Sequence, residues 1–234
     1  MSPWQMAFLN AFYNLNDMQD VLDIATKAAQ KLGFEFCAWQ TQLPIPLTQQ
    51  RSFGLSSTDD EVHRKGREGG YDQSPCMQHC SRSTTPFHWY GTTSDSVFKQ
   101  APELFEEYYG WGHRGGWAQS AFDSLDTCSV FIADTSQSLT PKMLQAVDMD
   151  MQWIATAVHC SMLRMQSAKH ITLTLREQEI LKWSGDGKTA EEIAIILSLS
   201  VGTVNFHLRN AMLKLDAPNK ISAIVKAIYL RLLD

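Results

Sequence analysis

Leu173-Thr174-Leu175-Arg176-Glu177-Gln178-Glu179-Ile180-Leu181, then Gly187-Lys188-Thr189, then Ser200-Val201-Gly202-Thr203-Val204-Asn205-Phe206-His207-Leu208-Arg209-Asn210 decide how the carboxyl end of this chain folds. Thr174 precedes Glu177 at capping-box spacing, and Thr189 stands in the same relation to Glu192, so each pair can satisfy the free amides of a helix start reciprocally. The first helix is predicted from about Leu175 to Ser184, with Ile180, Leu181 and Trp183 on a buried stripe and Gly185-Asp186-Gly187 as its stop. A second, from about Ala190 to Leu197, turns Ile193, Ala194 and Leu197 to the same core. Ser198-Leu199-Ser200 makes a compact turn, and Ser200 caps a third helix from Val201. Val204, Leu208, Ala211 and Leu215 recur on its inner face, which leaves Thr203, Asn205, Phe206, Arg209 and Asn210 outward.

A helix with asparagine and arginine outward is chemically suited to DNA. Their planar groups make paired hydrogen bonds to adenine or guanine in the major groove, and an aromatic edge can meet a thymine methyl. Asn205, Phe206 and Arg209 are therefore expected to contact bases. Lys188, Thr189, Thr203, Asn219 and Lys220 sit at or near helix starts, where amides and the positive dipole end favour a phosphate. Singly, each of these reads as an ordinary solvated residue; as a set in this order they mark the rim of a DNA reader. A fourth helix, from about Asn219 to Leu232, lines up Ile221, Ile224, Val225, Ile228 and Leu232. So apolar a stripe is covered either by the unit's own core or by the same helix of a second copy.

Residues 173–234 resemble the DNA-binding domain of the LuxR family of bacterial transcription regulators, which NarL-type response regulators share. The resemblance rests on the Leu-Thr-x-Arg-Glu-x-Glu opening, Gly-Lys-Thr, Glu-Ile-Ala, Leu-Ser-Leu-Ser, Thr-Val-Asn-Phe-His and Ala-Pro-Asn-Lys. It implies base contact from Asn205 and Arg209 with Phe206 beside them, and support from Lys188, Thr189, Thr203 and His207. The last of these could equally close the helix packing. It also implies that Ile221, Ile224, Val225 and Ile228 join two chains, as a reader of paired half-sites requires.

The chain has 234 residues, enough for two domains. The expected division is a sensor and dimerisation domain over 1–165, a linker over 166–172 and the helix-turn-helix domain over 173–234. From residue 173 onward 8 Lys and Arg face 7 Asp and Glu; the remainder has 12 against 18, a balance of −6. Binding to DNA would thus depend on where a few cations point rather than on bulk attraction. Without an apolar stretch of spanning length or a secretion signal, the chain is expected to be cytoplasmic and to have no membrane partner. The five cysteines, Cys37, Cys76, Cys80, Cys128 and Cys160, suggest no disulfide framework. Cys76-Met77-Gln78-His79-Cys80 has no second ligand pair, so no metal is expected. An enzyme built on Cys76 with His79 or His88 would have no orienting residue or oxyanion motif, so no catalytic residue is expected either.

In the first domain, helices are predicted over Trp4 to Leu15 and Met18 to Leu32, strands over Phe34 to Thr41, Ala118 to Phe122 and Cys128 to Ala133, and a long helix over Leu139 to Met165. The fold class is therefore α+β: an α-β-α sandwich with an antiparallel sheet, plus an all-α four-helix helix-turn-helix domain. This half resembles the sensing domain of the quorum-sensing members of the same family. Leu32-Gly33-Phe34-Glu35-Phe36, Pro44-Ile45-Pro46-Leu47-Thr48, Trp89 and Gly112-x-Arg114-x-Gly116-Trp117 carry that resemblance. It implies an acyl-homoserine lactone held between sheet and helices.

Here the chain departs from its family. Ser74-Pro75 stands where the family has Asp-Pro, and counting back places the positions of the lactone-gripping Trp and Tyr on Glu61 and Lys65. Glu61, Lys65, Ser74, Trp89 and Gly116 are then the pocket candidates. A serine offers a weaker, neutral bond to the ligand amide, and Glu61 and Lys65 are costly to bury beside an acyl chain. Trp89 and Gly116 would serve a filled or an empty core alike. The expectation is a sensor domain that folds without lactone or takes a different ligand. Expected partners are double-stranded promoter DNA and a second copy of the chain; a related LuxR-type regulator and RNA polymerase are further candidates. Two alternatives stand beside this reading: an anti-activator that forms mixed dimers with a lactone receptor, and a genuine lactone receptor with altered contacts.

Overall fold

Strand β1 (Phe36–Leu43) lies in a five-stranded antiparallel sheet between the edge strand β2 (Arg51–Ser56) and the central strand β5 (Cys128–Thr135); β4 (Gly115–Phe122) follows β5, and β3 (Phe87–Trp89) forms the far edge. The computed structural model describes residues 3–12, 15, 17–43, 51–123, 127–167, 171–230 and 232–233. The chain divides into two units, Met1–Met165 and Gln166–Asp234. Successive side chains of a strand point to opposite faces, and here the two faces have different fates. Cys37, Trp39, Trp117, Phe131 and Ala133 turn to one side, where they are fully or almost fully buried with α1 (Pro3–Phe12), α2 (Met18–Gln30) and α7 (Pro141–Ser167). Ala118 and Val130 turn to the other, toward α4 (Pro75–Cys80), α5 (Ser96–Gln100) and α6 (Pro102–Gly110). The result is the expected α-β-α sandwich with an antiparallel sheet.

Helix α2 begins at Asp17, whose carboxylate accepts from the amides of Gln19 and Asp20, and Gly33 (φ +95°) follows its end. Helix α1 is described over Pro3–Phe12, and Leu15, the expected end, is not helical. Pro44-Ile45-Pro46-Leu47-Thr48 lies outside the described residues. Sequence periodicity missed β2, β3 and the short helices α3 (Glu61–Arg67) to α6, because elements of three to nine residues offer fewer than three turns in which a period can show. Helix α7 buries Leu144, Met151, Ile154 and Val158 as its spacing predicts, and runs two residues into the expected linker.

Two polar residues interrupt that apolar face of α7, about three turns apart. Asp148 accepts the indole proton of Trp117 at 2.8 Å, and His159 Nδ1 receives the Ser129 hydroxyl at 2.9 Å and the Trp39 indole at 3.4 Å. Nε2 of His159 faces the Gln119 carbonyl at 3.2 Å, so the ring is neutral with its proton on Nε2. Burial pushes this imidazole down to about 4 against the single opposing pull of that carbonyl.

In the second unit α8 (Leu175–Gly185), α9 (Ala190–Leu197), α10 (Val201–Lys214) and α11 (Lys220–Tyr229) pack around Ile180, Leu181, Ile193, Val204, Ala211, Leu215, Ala223 and Ala227. Both capping boxes are formed, and Ser200 and Asn219 cap the remaining two helices through the amides of Thr203 and Ser222. Glu177 is 3% exposed; its carboxylate accepts the Thr174 amide at 2.7 Å and the Lys214 ammonium at 2.8 Å, which fastens the end of α10 to the start of α8. Lys226 of α11 donates to the carbonyls of Leu215 and Asp216 at the end of α10. Among the described residues, no helix is long and apolar enough to cross a membrane.

Two stability predictions follow from these buried ionisable groups. An imidazole held at about 4 when folded and near 6.5 when unfolded costs stability as pH falls below about 6.5, and the loss levels off near 4. Denaturant melts of wild type and His159→Gln should therefore converge as pH is lowered across that window; a constant gap between them refutes the assignment. Burial alone would raise the Glu177 carboxyl, but Lys214 and the Thr174 amide outweigh it and hold the group low. Its stabilisation is complete above the ordinary carboxylate pKa and is lost as pH falls through the depressed value. Glu177→Gln should cost about 1.5 to 3 kcal/mol at pH 7 and much less at pH 3, read by chemical denaturation of the second unit.

Candidate nucleic-acid interface and sensor pocket

On α10 the inward positions are filled by Val204 and Ala211, 1% and 0% exposed, with Leu208 partly buried between the two small cores. That packing fixes the helix's rotation and leaves Asn205, Phe206 and Arg209 exposed together on the opposite face. Phe206 is 60% exposed, with its ring centroid 5.5 Å from that of His207. A phenyl exposed beside an amide and a guanidinium is chemically suited to a groove floor with methyl groups. Thr203 shares a 2.8 Å hydroxyl bond with Ser200 at the helix start. His207 is half-buried on the flank and points to neither role exclusively.

Lys188 lies between α8 and α9 with its ammonium 3.4 Å from Glu192, a half-exposed pair that costs little to open. Thr189 accepts the Glu192 amide, and Asn219 accepts that of Ser222, so both caps keep the remaining polar hydrogens of their side chains for another acceptor. Lys220 opens α11 and is half-buried. Along α11 the expected stripe divides. Ile221 and Ile228 are 71% and 50% exposed, Val225 lies partly exposed between them, and Ile224 packs with Ala223 and Ala227 on the unit's core.

In the first unit, a pocket opens between the sheet and α3, α4 and α6, with a cavity volume of about 60 Å³. Ala38, Gln40 and Ile132 of the sheet form its floor, and Val62, Tyr71, Met77, Leu104, Phe105 and Tyr108 stand among its walls. Of the expected pocket residues, Ser74 and Trp89 line it. Glu61 and Lys65 do not, which corrects the expectation from counting back. Glu61 pairs on the surface with Arg64, and Lys65 bonds Glu107 at 2.6 Å over the Tyr71 ring. The helix instead turns Val62 and Gly66 inward, one residue further along and at the same spacing. Gly116 is not lining either: a Cβ there would sit 2.0 Å from the Trp89 ring, so its role is to let that indole lie flat on β4.

The polar groups of this pocket are mostly donors. Ser74 caps α4 by accepting the Met77 amide at 3.2 Å, which leaves its hydroxyl hydrogen to give. Trp89 Nε1 and His63 Nε2 are buried without a partner. An unpaired buried donor costs about 1–3 kcal/mol, so these are open for an acceptor. Asp60 caps α3 through the His63 amide, lies 2.9 Å from His63 Nδ1 and 3.4 Å from His113 Nε2, and His113 Nδ1 is bonded to Asp134 at 2.7 Å. Burial would lower the His113 pKa, but Asp134 and Asp60 raise it on balance; Asp60 is held down to about 2 by Thr58 and His63 against its own burial. His63 and His113 were not anticipated, because their sequence separation has no spacing signature. Cys76 lines the pocket too, and its thiol is pushed up by Cys80 and by burial, the reverse of what a nucleophile needs. His79 is bonded to the Thr85 carbonyl and His88 to Asp148, and neither bond leads to Cys76.

Comparison with known proteins matches both units. Residues 171–227 fit the model for bacterial regulatory proteins of the luxR family, and residues 17–162 fit the autoinducer-binding domain. The chain is 32% identical over 240 residues to the transcriptional activator protein AnoR of Acinetobacter nosocomialis, covering 100% of both. To the transcriptional repressor ThaA of Burkholderia thailandensis it is 30% identical over 244 residues, covering 97% of each. Its fold matches the crystal structure of Escherichia coli SdiA with a TM-score of 0.79 at 24% identity, over 99% of this chain and 98% of that one. An autoinducer-binding fold joined to a luxR-type helix-turn-helix, with full-length relatives of the same build, places this chain in the LuxR family of quorum-sensing transcription regulators.

Proposed function

We propose that the chain acts as a dimer that reads a specific operator in double-stranded promoter DNA through Asn205, Phe206 and Arg209 of α10. The single observation that carries this reading is the exposed amide, phenyl and guanidinium on one face of a helix whose other face is locked into a core. Lys188, Thr189, Thr203, Asn219 and Lys220 supply phosphate contacts, with His207 as flanking support. Dimerisation through Ile221, Val225 and Ile228 of α11 would cover the apolar side chains that its own unit leaves in water. One similar protein is called an activator and another a repressor, so the sign of regulation is a separate property of the promoter and the surface that meets polymerase.

The first domain, in this reading, senses a small molecule without the standard acyl-homoserine lactone contacts. Its support is a mainly apolar pocket between sheet and helices whose unused polar groups donate: Trp89 Nε1, the Ser74 hydroxyl and His63 Nε2 when it holds the ring proton. Such a lining suits an apolar chain with carbonyl oxygens. A ligand amide proton would find a serine hydroxyl where a charged acceptor gives about twice the bond.

Two measurements test the proposal. Arg209→Ala should weaken binding to the operator by about 1 to 3 kcal/mol and relax preference at one base position, whereas Lys188→Ala should weaken all sequences alike. Fluorescence anisotropy on specific and random duplexes distinguishes them, and equal losses on both duplexes for Arg209→Ala would remove the base-reading role. Ser74→Asp keeps a good helix cap and restores a charged acceptor. It should raise acyl-homoserine lactone affinity roughly tenfold, the equivalent of 1.4 kcal/mol, while leaving an acyl ester of equal chain length unaffected; calorimetry showing no gain for the lactone would sink the ligand reading.

A further inference from the structure

We propose that Asp60, His63 and His113 form a binding site for one zinc-type divalent transition-metal ion at the rim of the sensor pocket. Each residue offers one donor atom, and these atoms all lie within 4.8 Å of one another. Asp60 stands between the two imidazoles, with Oδ1 2.9 Å from His63 Nδ1 and Oδ2 3.4 Å from His113 Nε2. Donors placed tetrahedrally around an ion at 2.0–2.1 Å are about 3.3 Å apart, so a set that lies within 4.8 Å closes on one by drawing together by up to about 1.5 Å.

The surroundings match what a metal site requires beyond its ligands. Asp134 and His113 are each 1% exposed, and the Asp134 carboxylate takes the Nδ1 proton of His113 at 2.7 Å, which aims Nε2 at Asp60. A carboxylate behind an imidazole in this way fixes its tautomer and strengthens it as a ligand. Asp60 and Asp134 together bring two negative charges, and a dication neutralises both. Two nitrogens and one oxygen favour zinc, cobalt, nickel or copper over magnesium and calcium, which take oxygen donors. The side chain of Asp60 is 30% exposed against 4% for His63, so an ion can enter from its side. The Thr58 hydroxyl, 2.6 Å from Asp60 Oδ2, steadies the carboxylate.

The ion would also change the pocket. With Nδ1 of His63 committed to metal, the ring proton is confined to Nε2, the buried nitrogen that has no partner and belongs to a pocket-lining residue. Metal thereby makes one wall of the ligand site a permanent donor. It also ties the start of α3 to the loop before β4, two segments that already meet through the edge-on rings of His63 and His113.

The test uses the full chain, stripped with a chelator and titrated with cobalt(II) chloride, then with zinc chloride. One cobalt ion per chain should bind, with visible d–d bands and no thiolate-to-metal charge-transfer band, and zinc should displace it. His63→Gln and Asp60→Asn should each weaken binding by at least about tenfold with unchanged far-ultraviolet circular dichroism. Asparagine caps a helix as well as aspartate, so Asp60→Asn keeps the test decisive if His63→Gln fails to fold. Wild type that takes up no ion, variants that bind like wild type, or a charge-transfer band assigning the metal to cysteines would each overturn the proposal.

Discussion

Everything in the amino-terminal domain depends on the strict alternation of side chains across β1, β4 and β5. Because a strand presents successive residues to opposite faces, Trp39, Trp117 and Phe131 must all fall on one side once β1 and β4 pair with β5 in the observed register. That side becomes a layer of large rings with no room to spare, and losing one such ring from a packed layer typically costs about 3–5 kcal/mol. The residues between them, Ala38, Gln40, Ala118 and Ile132, are smaller. The opposite face is therefore left with space, and three short helices close over it without filling it. Dense packing and open space thus fall on the two sides of one sheet, and Gly116 deepens the difference by letting Trp89 lie against β4.

The filled side is held in register by polar bonds rather than by shape alone. Apolar contact between α7 and the sheet would tolerate a slip along the helix, since Leu, Met and Val stripes repeat every turn. Asp148 and His159 forbid that slip: each meets one particular indole, and a displaced helix would leave both indole protons and the His159 lone pair buried and unpaired. The cost of breaking such bonds exceeds the modest net gain of making them. Their contribution lies in choosing one arrangement, with a neutral imidazole as the condition.

Legibility from sequence follows the range of the interactions concerned. The second unit could be read nearly residue by residue, because its capping boxes, its Ser200 and Asn219 caps and the inward face of α10 are all set by neighbours within four positions. Helix α7 was legible for the same reason. The pocket was half legible: Ser74 and Trp89 line it, but counting through the Gly69-Gly70 turn fell one residue short on α3 and named Glu61 and Lys65 in place of Val62 and Gly66. A physical signal was available, since a charged pair on the inward face of a seven-residue helix would have been costly, while valine and glycine at the same spacing are not. Nothing local could have joined His63 to His113, which come together only because β4 and α3 border the same cavity.

The balance of charge in the second unit constrains how the proposed complex is built. With nearly equal numbers of acidic and basic residues from 173 onward, the unit lacks the diffuse attraction that lets strongly basic proteins coat any duplex. Several of its cations are already engaged within the fold: Lys214 with Glu177, Arg176 with Glu179, and Lys226 with the end of α10. Lys188 is held by a half-exposed pair with Glu192, and Arg209 stands exposed on the outer face of α10. In the proposed complex, a unit so near charge balance would gain less from random phosphate than from a site where Asn205 and Arg209 both find their bases, and a second copy would multiply the advantage of the correct half-sites. In the proposed dimer, weak general attraction would favour selectivity, because a second copy adds specific contacts without adding much attraction to random phosphate.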